Sequence, residues 1–81
     1  MCGIIGINSN KPVSATIINS LKKLEYRGYD SAGIATLSNE KINEVKSEGR
    51  VDNLEKNSLV QSMEGTIGIG HVRWATHGLP N

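Results

Sequence analysis

The sequence lacks phenylalanine altogether and contains a single cysteine, so its core must be mainly aliphatic and no internal disulfide can form. Positive and negative charges nearly balance, because the chain has nine lysines and arginines and eight aspartates and glutamates. This balance predicts no nucleic-acid partner and no attraction to membranes. No apolar run approaches the ~20 residues that span a bilayer, and no signal peptide is recognisable. At 81 residues the chain is expected to form at most one small domain, located in the reducing cytoplasm.

Metal and cofactor sites are also not indicated by residue spacing. His71 and His77 lie on a segment without a helical pattern, and Cys2 does not complete a structural zinc set with them. Gly68 and Gly70 lack the third glycine of a dinucleotide-binding fingerprint. We therefore expect neither a metal nor a cofactor.

Hydrophobic periodicity predicts strands that alternate with helices. After Pro12, apolar residues recur at helical spacing, which predicts a first helix. A second helix of about ten residues is expected to begin with a capping box, in which Asp52 is the cap and Glu55 follows it. The predicted strands cover residues 3–8, 32–37, 42–48 and 66–72, with a turn at residues 38–40. This arrangement predicts an α+β fold that contains an antiparallel hairpin.

The last predicted strand alternates glycine with larger residues. We expect one face to carry Ile67, Ile69, His71 and Arg73, and the other to carry the glycines. A face of glycines lets another layer of the fold, or a ligand, approach the backbone closely. On this pattern alone His71 is interpreted as a core histidine, and Arg73 at the strand end could be an ordinary surface charge.

Cys2 has the most distinctive chemistry in the sequence. Removal of the initiator methionine would leave a thiol and a free α-amine on this one residue. The reference pKa of an α-amine is about 7.7–8.0 and that of a cysteine thiol is about 8.5, so the amine can act as a general base at neutral pH. Cys2 is therefore a candidate N-terminal nucleophile, although an inert, partly buried cysteine would fit the same local sequence.

Three segments of the sequence resemble the motifs of one enzyme family. They are Met-Cys-Gly-Ile-Ile-Gly-Ile at residues 1–7, Leu-Glu-Tyr-Arg-Gly-Tyr-Asp-Ser-Ala-Gly-Ile at residues 24–34, and Gly-His-Val-Arg-Trp-Ala-Thr-His-Gly at residues 70–78. Their order and approximate spacing resemble those of class II glutamine amidotransferases, in which the processed cysteine attacks the side-chain amide of glutamine. The resemblance implies an α+β fold, namely part of the four-layer αββα sandwich of N-terminal-nucleophile (Ntn) hydrolases with antiparallel sheets.

Details of the second and third segments discriminate within this family. Tyr-Arg-Gly-Tyr-Asp-Ser at residues 26–31 and Arg-Trp-Ala-Thr-His-Gly at residues 73–78 look like the members that pass ammonia to fructose 6-phosphate and form glucosamine 6-phosphate. Phosphoribosyl-pyrophosphate amidotransferases usually have His-Arg-Gly-Gln-Asp in the second segment, and asparagine synthetases usually have His-Arg-Gly-Pro-Asp. A fragment of an amidophosphoribosyltransferase stays open as an alternative.

The resemblance implies roles for the glutamine-binding residues. Cys2 would be the nucleophile and its own amine the base. Arg73 would pair with the α-carboxylate of glutamine, because a planar guanidinium matches two carboxylate oxygens better than an ammonium does. Thr76 and His77 would help to bind the same end of the substrate, although His77 taken singly could be an ordinary loop residue.

Two further residues are implied to support this site. Arg27 would lie near it and hold the surrounding loops, and Trp74 would sit where ammonia leaves, as a gate toward the second active site. Taken singly, Trp74 could simply pack in the core, as most tryptophans do.

The resemblance covers residues 1–81 as the amino-terminal part of a glutaminase domain, and it implies that the rest of that domain and two sugar-isomerase domains are absent. The missing part would carry the oxyanion donors, each of which contributes roughly 10²–10³ to the rate. The chain by itself is therefore expected to be inactive and to expose strand edges and an apolar sheet face. Two alternatives stay open: one chain of a two-chain enzyme with a separately encoded remainder, or a non-catalytic binding or regulatory module.

Overall fold

The computed structural model describes residues 3–25 and 31–73 of the chain. Within these residues four strands form one antiparallel sheet. Two of the three helices pack against the sheet, and the third packs against those two helices. No helix in the described ranges is long and apolar enough to cross a membrane. In chain order the elements are β1 (Gly3–Asn8), α1 (Ser14–Leu24), β2 (Ser31–Ser38), β3 (Lys41–Glu48), α2 (Val51–Glu55), α3 (Ser58–Gln61) and β4 (Ile67–Arg73).

The strands lie in the order β1-β4-β2-β3, and all neighbouring strands are antiparallel. β4, the last strand in the sequence, therefore lies between β1 and β2. Each strand begins and ends within one residue of the bounds predicted from the sequence, so the four strands and the β2–β3 hairpin are confirmed. The α+β class is confirmed as well, with one helical layer and one sheet.

Helix α1 covers the glycine face of β4. Ile17 and Leu21 are fully buried and lie directly over Gly68 and Gly70. A Cβ atom added at Gly68 would lie 2.8 Å from Ile17 Cδ1, and one added at Gly70 would collide with Ile17 Cγ2. The expectation that the glycines admit a neighbouring layer is confirmed, because a side chain at either position would push α1 off the sheet.

The β2–β3 hairpin turns at Asn39 and Glu40. Their φ angles are 51° and 65°, and two positive values suit a two-residue turn between twisted antiparallel strands. Asparagine visits this left-handed region readily, whereas for glutamate it costs roughly 1–2 kcal/mol. The predicted turn is confirmed, and Glu40 is its strained position.

The capping box predicted at Asp52 is wrong. Helix α2 begins at Val51, so its N-cap is Arg50, two residues before Asp52, and Arg50 makes no side-chain capping bond. The acceptor comes instead from another element, because Glu25 Oε2 receives a hydrogen bond of 2.6 Å from the Val51 amide. A carboxylate at this place satisfies one of the amides that the first turn of a helix leaves unpaired.

The predicted helix of ten residues is two short helices instead. Helix α2 ends at Glu55, and α3 starts at Ser58. Between them the Asn57 side chain accepts a hydrogen bond of 2.8 Å from the Leu59 amide and so caps α3. An asparagine that bonds its neighbouring backbone competes with continuation of the preceding helix, which explains the break.

The two faces of the sheet differ in what lies over them. The face beneath the helices, called the covered face below, carries buried side chains such as Ile34, Val45 and Val72. The opposite face, called the open face, presents large apolar side chains to solvent: Ile4 (78% exposed), Ile42 (75%), Ile69 (56%), Ile67 (45%) and Leu37 (41%). The expected exposed apolar sheet face is therefore confirmed.

Candidate functional site

Three strand ends lie side by side at one end of the sheet. Gly3 of β1 is paired with Val72 of β4, and Ser31 of β2 is paired with Arg73 of β4. The first residues of β1 and β2 therefore flank the last residues of β4. We call this region the motif end and define it by Gly3, Ser31 and Arg73, each of which belongs to one of the three sequence motifs.

Of the residues predicted to form the site, Arg73 lies within the described ranges. It is half-buried at the end of β4, beside the buried Ser31. The alternation of β4 puts Arg73 in the same row as His71 and Ile69, which belongs to the open face. A guanidinium that is held partly out of water by a strand keeps its charge and binds carboxylates more strongly than an exposed one.

His71 lies in the same row of the open face, between Ile69 and Arg73. It is paired with Ile4 on one side and with Gly33 on the other, and its ring lies over Gly33, where an added Cβ would collide with Nε2. The interpretation of His71 as a core histidine is wrong, because the residue is half-buried and lies in the row of the open face. The glycines of β4 mark the covered face, so the alternation itself directs His71 to the open one.

The start of β1 packs against the end of α1. A Cβ atom added at Gly3 would lie 2.9 Å from Leu24 Cδ1 and 3.4 Å from Leu24 Cβ. A Cβ at this position would require Leu24 Cδ1 to shift, so the Leu24 side chain lies directly on the start of β1. Because Cys2 directly precedes Gly3 in the sequence, α1 fixes the backbone next to the candidate nucleophile.

The other predicted site residues lie outside the described residues, and their roles stay predictions: Cys2, Arg27, Trp74, Thr76 and His77. Within the described ranges, no group of three or more histidine, cysteine, aspartate or glutamate side chains could hold a metal ion. The described part of the motif end thus offers a cation, Arg73, and a backbone position tied to α1.

Two solved structures share this fold. Glutamine phosphoribosylpyrophosphate amidotransferase from B. subtilis, complexed with ADP and GMP, aligns with a TM-score of 0.81 and 28% identity over 95% of this chain and 17% of that chain. A structure described as the allosteric regulatory enzyme of purine biosynthesis aligns with a TM-score of 0.82 and 29% identity over 94% of this chain and 16% of that chain. The fold is therefore that of the Ntn glutamine amidotransferases, of which the described residues form part.

Sequence relatives assign the chain to one family among the amidotransferases that share this fold. Glutamine–fructose-6-phosphate aminotransferase [isomerizing] from Brucella abortus is 56% identical over 99% of the chain, that from Bradyrhizobium diazoefficiens 54% over 99%, and that from Mesorhizobium japonicum 52% over 100%. The chain spans 13% of the length of these relatives. No family model matched the sequence. The chain belongs to the glutamine–fructose-6-phosphate aminotransferase family of class II amidotransferases and corresponds to the amino-terminal, glutaminase part of its members.

Proposed function

We propose that Cys2 and Arg73 form two parts of a glutaminase site at the motif end. The observation that carries this proposal is the pairing of Gly3 with Val72, since Cys2 precedes the first residue of that pair and Arg73 follows the second. Neighbouring strands lie about 4.7–4.9 Å apart, so a substrate the size of an amino acid can bridge adjacent strand ends.

In the proposed reaction Cys2 is the nucleophile. Its α-amine takes the thiol proton, and the sulfur attacks the side-chain amide carbon of glutamine. The ammonium group then gives that proton to the amide nitrogen, and the carbon–nitrogen bond breaks as ammonia leaves. Water then hydrolyses the thioester, which releases glutamate and restores the thiol. The supporting observation is sequence position: once Met1 is removed, thiol and amine belong to the residue directly before β1.

Binding of the amino-acid end of glutamine is assigned to the third motif, residues 70–78. Arg73 pairs with the α-carboxylate of glutamine, and Thr76 and His77 add hydrogen bonds to the same end. The half-buried position of Arg73 supports this role, because such a cation is held in a fixed place by its strand. Arg27 supports the surrounding loops in this proposal, and Trp74 gates the departure of ammonia.

The proposed acceptor of the ammonia is fructose 6-phosphate, which yields glucosamine 6-phosphate. The support is the difference in similarity: relatives named for fructose 6-phosphate are 52–56% identical, whereas the phosphoribosylpyrophosphate enzyme is 28% identical. Acceptor binding is assigned to sugar-isomerase domains outside residues 1–81. The cytoplasm is the proposed location, where free glutamine and sugar phosphates occur together.

Residues 1–81 are proposed to be the first part of a glutaminase domain that is active only when the remainder covers the open face. Ile4, Ile42 and Ile69 are more than half exposed there, and a contiguous apolar surface of this kind favours burial against another layer. A separately supplied remainder of the domain would be the partner of the isolated chain.

A chimeric enzyme tests the site. Residues 1–81 of this chain would replace the matching segment of the Brucella abortus relative, and glutamate release from glutamine would be measured. Cys2→Ala is expected to abolish release. Arg73→Lys is expected to raise KM for glutamine about 10- to 100-fold, because a bidentate charged hydrogen bond is worth about 1.5–3 kcal/mol.

Lys41→Ala is a control for a change at a cation away from the motif end. Lys41 pairs with Ser38 at the hairpin end of the sheet, remote from the motif end, so KM should not change. An unchanged KM in Arg73→Lys would remove Arg73 from the site. For the isolated 81-residue chain we expect no glutamine hydrolysis, and release that disappears in Cys2→Ala would contradict the need for a remainder.

A further inference from the structure

The carboxylate of Glu25 is buried at the end of α1. The Glu25 side chain is 8% exposed, and its Oε2 atom accepts a hydrogen bond of 2.6 Å from the Val51 amide. Its Oε1 atom lies 3.7 Å from Arg50 Nη2, whose side chain is 59% exposed. The hydrogen bond is short and charge-assisted, and it is shielded from water, so it holds the end of α1 to the start of α2.

Leu24, the residue before Glu25, connects the end of α1 to β1. Leu24 lies against Gly3 so closely that an added Cβ would be 2.9 Å from Leu24 Cδ1. The contacts thus form a continuous path from Val51 through Glu25 and Leu24 to Gly3. Cys2 is the next residue in the sequence.

We propose that Glu25 is a positioning residue for Cys2, acting through the backbone of α1 and the Leu24–Gly3 contact. When the Glu25 carboxylate is bound to α2, the last turn of α1 keeps its position and Leu24 stays packed against Gly3. Without it, the last turn of the helix is released on its α2 side, and the start of β1 loses the surface that orients it. The consequence for glutamine hydrolysis rests on the proposed function, whereas the structural coupling does not.

A neighbouring ion pair provides a matched control. Lys22, one turn earlier on α1, donates a hydrogen bond of 2.7 Å to Glu55 Oε1 and lies 3.7 Å from Asp52. It also joins α1 to α2, but its partners are largely exposed and the Leu24–Gly3 contact lies beyond it. Lys22→Met therefore loosens the same pair of helices without acting on Gly3.

Backbone NMR of the 81-residue chain tests the coupling without any reaction. Glu25→Ala is expected to speed hydrogen exchange of the Val51 amide at least tenfold and to shift the Gly3 amide resonance. Glu25→Gln keeps an oxygen acceptor and should restore most of both signals, which also covers the case in which Glu25→Ala fails to fold. Lys22→Met should leave Gly3 unchanged.

The chimeric enzyme supplies the second readout. Glu25→Ala is expected to lower kcat for glutamine hydrolysis at least tenfold with KM nearly unchanged, because Arg73 still binds the substrate. A Gly3 resonance that does not move in Glu25→Ala, or an equal loss in Lys22→Met, would overturn the positioning role. A shifted Gly3 resonance in a chain whose parent chimera releases no glutamate would support the coupling and reject the proposed function instead.

Discussion

The covered face of the sheet presents glycine where α1 crosses it, whereas the open face of the same strands presents isoleucine and leucine to solvent. On β4 the contrast falls between neighbouring residues: Gly68 and Gly70 are buried, and Ile67 and Ile69 are 45% and 56% exposed. Close approach of a helix needs small residues beneath it, so where α1 crosses β4 the apolar side chains come from the helix and not from Gly68 or Gly70. The covered face is thus complete, and the open face is built to receive another layer.

This contrast explains how the motif end is held. On the covered side, Leu24 of α1 packs on Gly3 at the start of β1. The side chain of Arg73 belongs to the row of the open face. A substrate at the motif end would therefore be bounded by a finished layer on one side and by the layer that closes the open face on the other.

Removing apolar volume should separate the two faces most clearly. Ile17→Ala deletes a fully buried side chain from α1 and should lower the free energy of unfolding by about 3–4 kcal/mol, through lost burial and the cavity left behind. Urea denaturation followed by circular dichroism measures the change. Ile4→Ala, at a position 78% exposed on the open face, should change it by about 0.5 kcal/mol or less. Equal effects at the two positions would contradict the distinction between the faces.

Adding volume gives the converse test. Gly70→Ala puts a methyl group against Ile17 and Leu21 and should cost about 2–3 kcal/mol of unfolding free energy by overpacking. Gly6→Ala is its control, because a Cβ there meets Ile69 Cγ2 at an ordinary 3.8 Å. The double variant with Ile17→Ala should lose less than the sum of the two single changes, since the new methyl fills the cavity. Additive losses would show that Gly70 and Ile17 do not share one space.

A polar atom on the covered face offers a gain in stability. Thr36 is 2% exposed, and its Oγ1 atom has no hydrogen-bond partner in the part of the chain that the structure describes. Thr36→Val removes that unpaired hydroxyl at nearly constant shape and should raise the free energy of unfolding by about 1 kcal/mol. Loss of stability in the same denaturation experiment would reveal a partner for this hydroxyl.

Local pattern was enough to predict the strands, α1 and the β2–β3 hairpin, but not the pairing of β4 with β1 and β2. Alternation gave β4 and the helical stripe gave α1, because side-chain direction repeats at fixed intervals along one segment. The other strands were predicted from strand-forming residues, such as the isoleucines of β1, and from the turn between β2 and β3. The insertion of β4 between β1 and β2 joins residues far apart in sequence, such as Gly3 and Val72, and no local signal encodes that register. The convergence of the motifs at one end of the sheet follows from this pairing and so could not be derived segment by segment.

Side-chain contacts between residues far apart in the sequence were also missed, because no local signal encodes them. Asp52 and Glu55 have the spacing of a capping box, but the amide of Val51 is bound by Glu25, which stands 26 residues away. In the sequence Glu25 looks like a solvated charge at a helix end. His71 shows the opposite case, because the glycine alternation already contained the information that it belongs to the open face.

The smallest expected change in stability belongs to a charge placed on the open face. Ile69→Lys, at the 56% exposed position in the middle of that face, should alter the free energy of unfolding by about 0.5 kcal/mol or less, since the lysine head can remain in water. Its main effect should be on association: sedimentation velocity at rising concentration should show fewer oligomers than in the parent chain, because a charge interrupts the apolar surface. Lys46→Ile, which enlarges that surface from β3, should act in the opposite direction. If Ile69→Lys instead unfolds the chain, the open face already contributes to the core, and the contrast between the two faces fails.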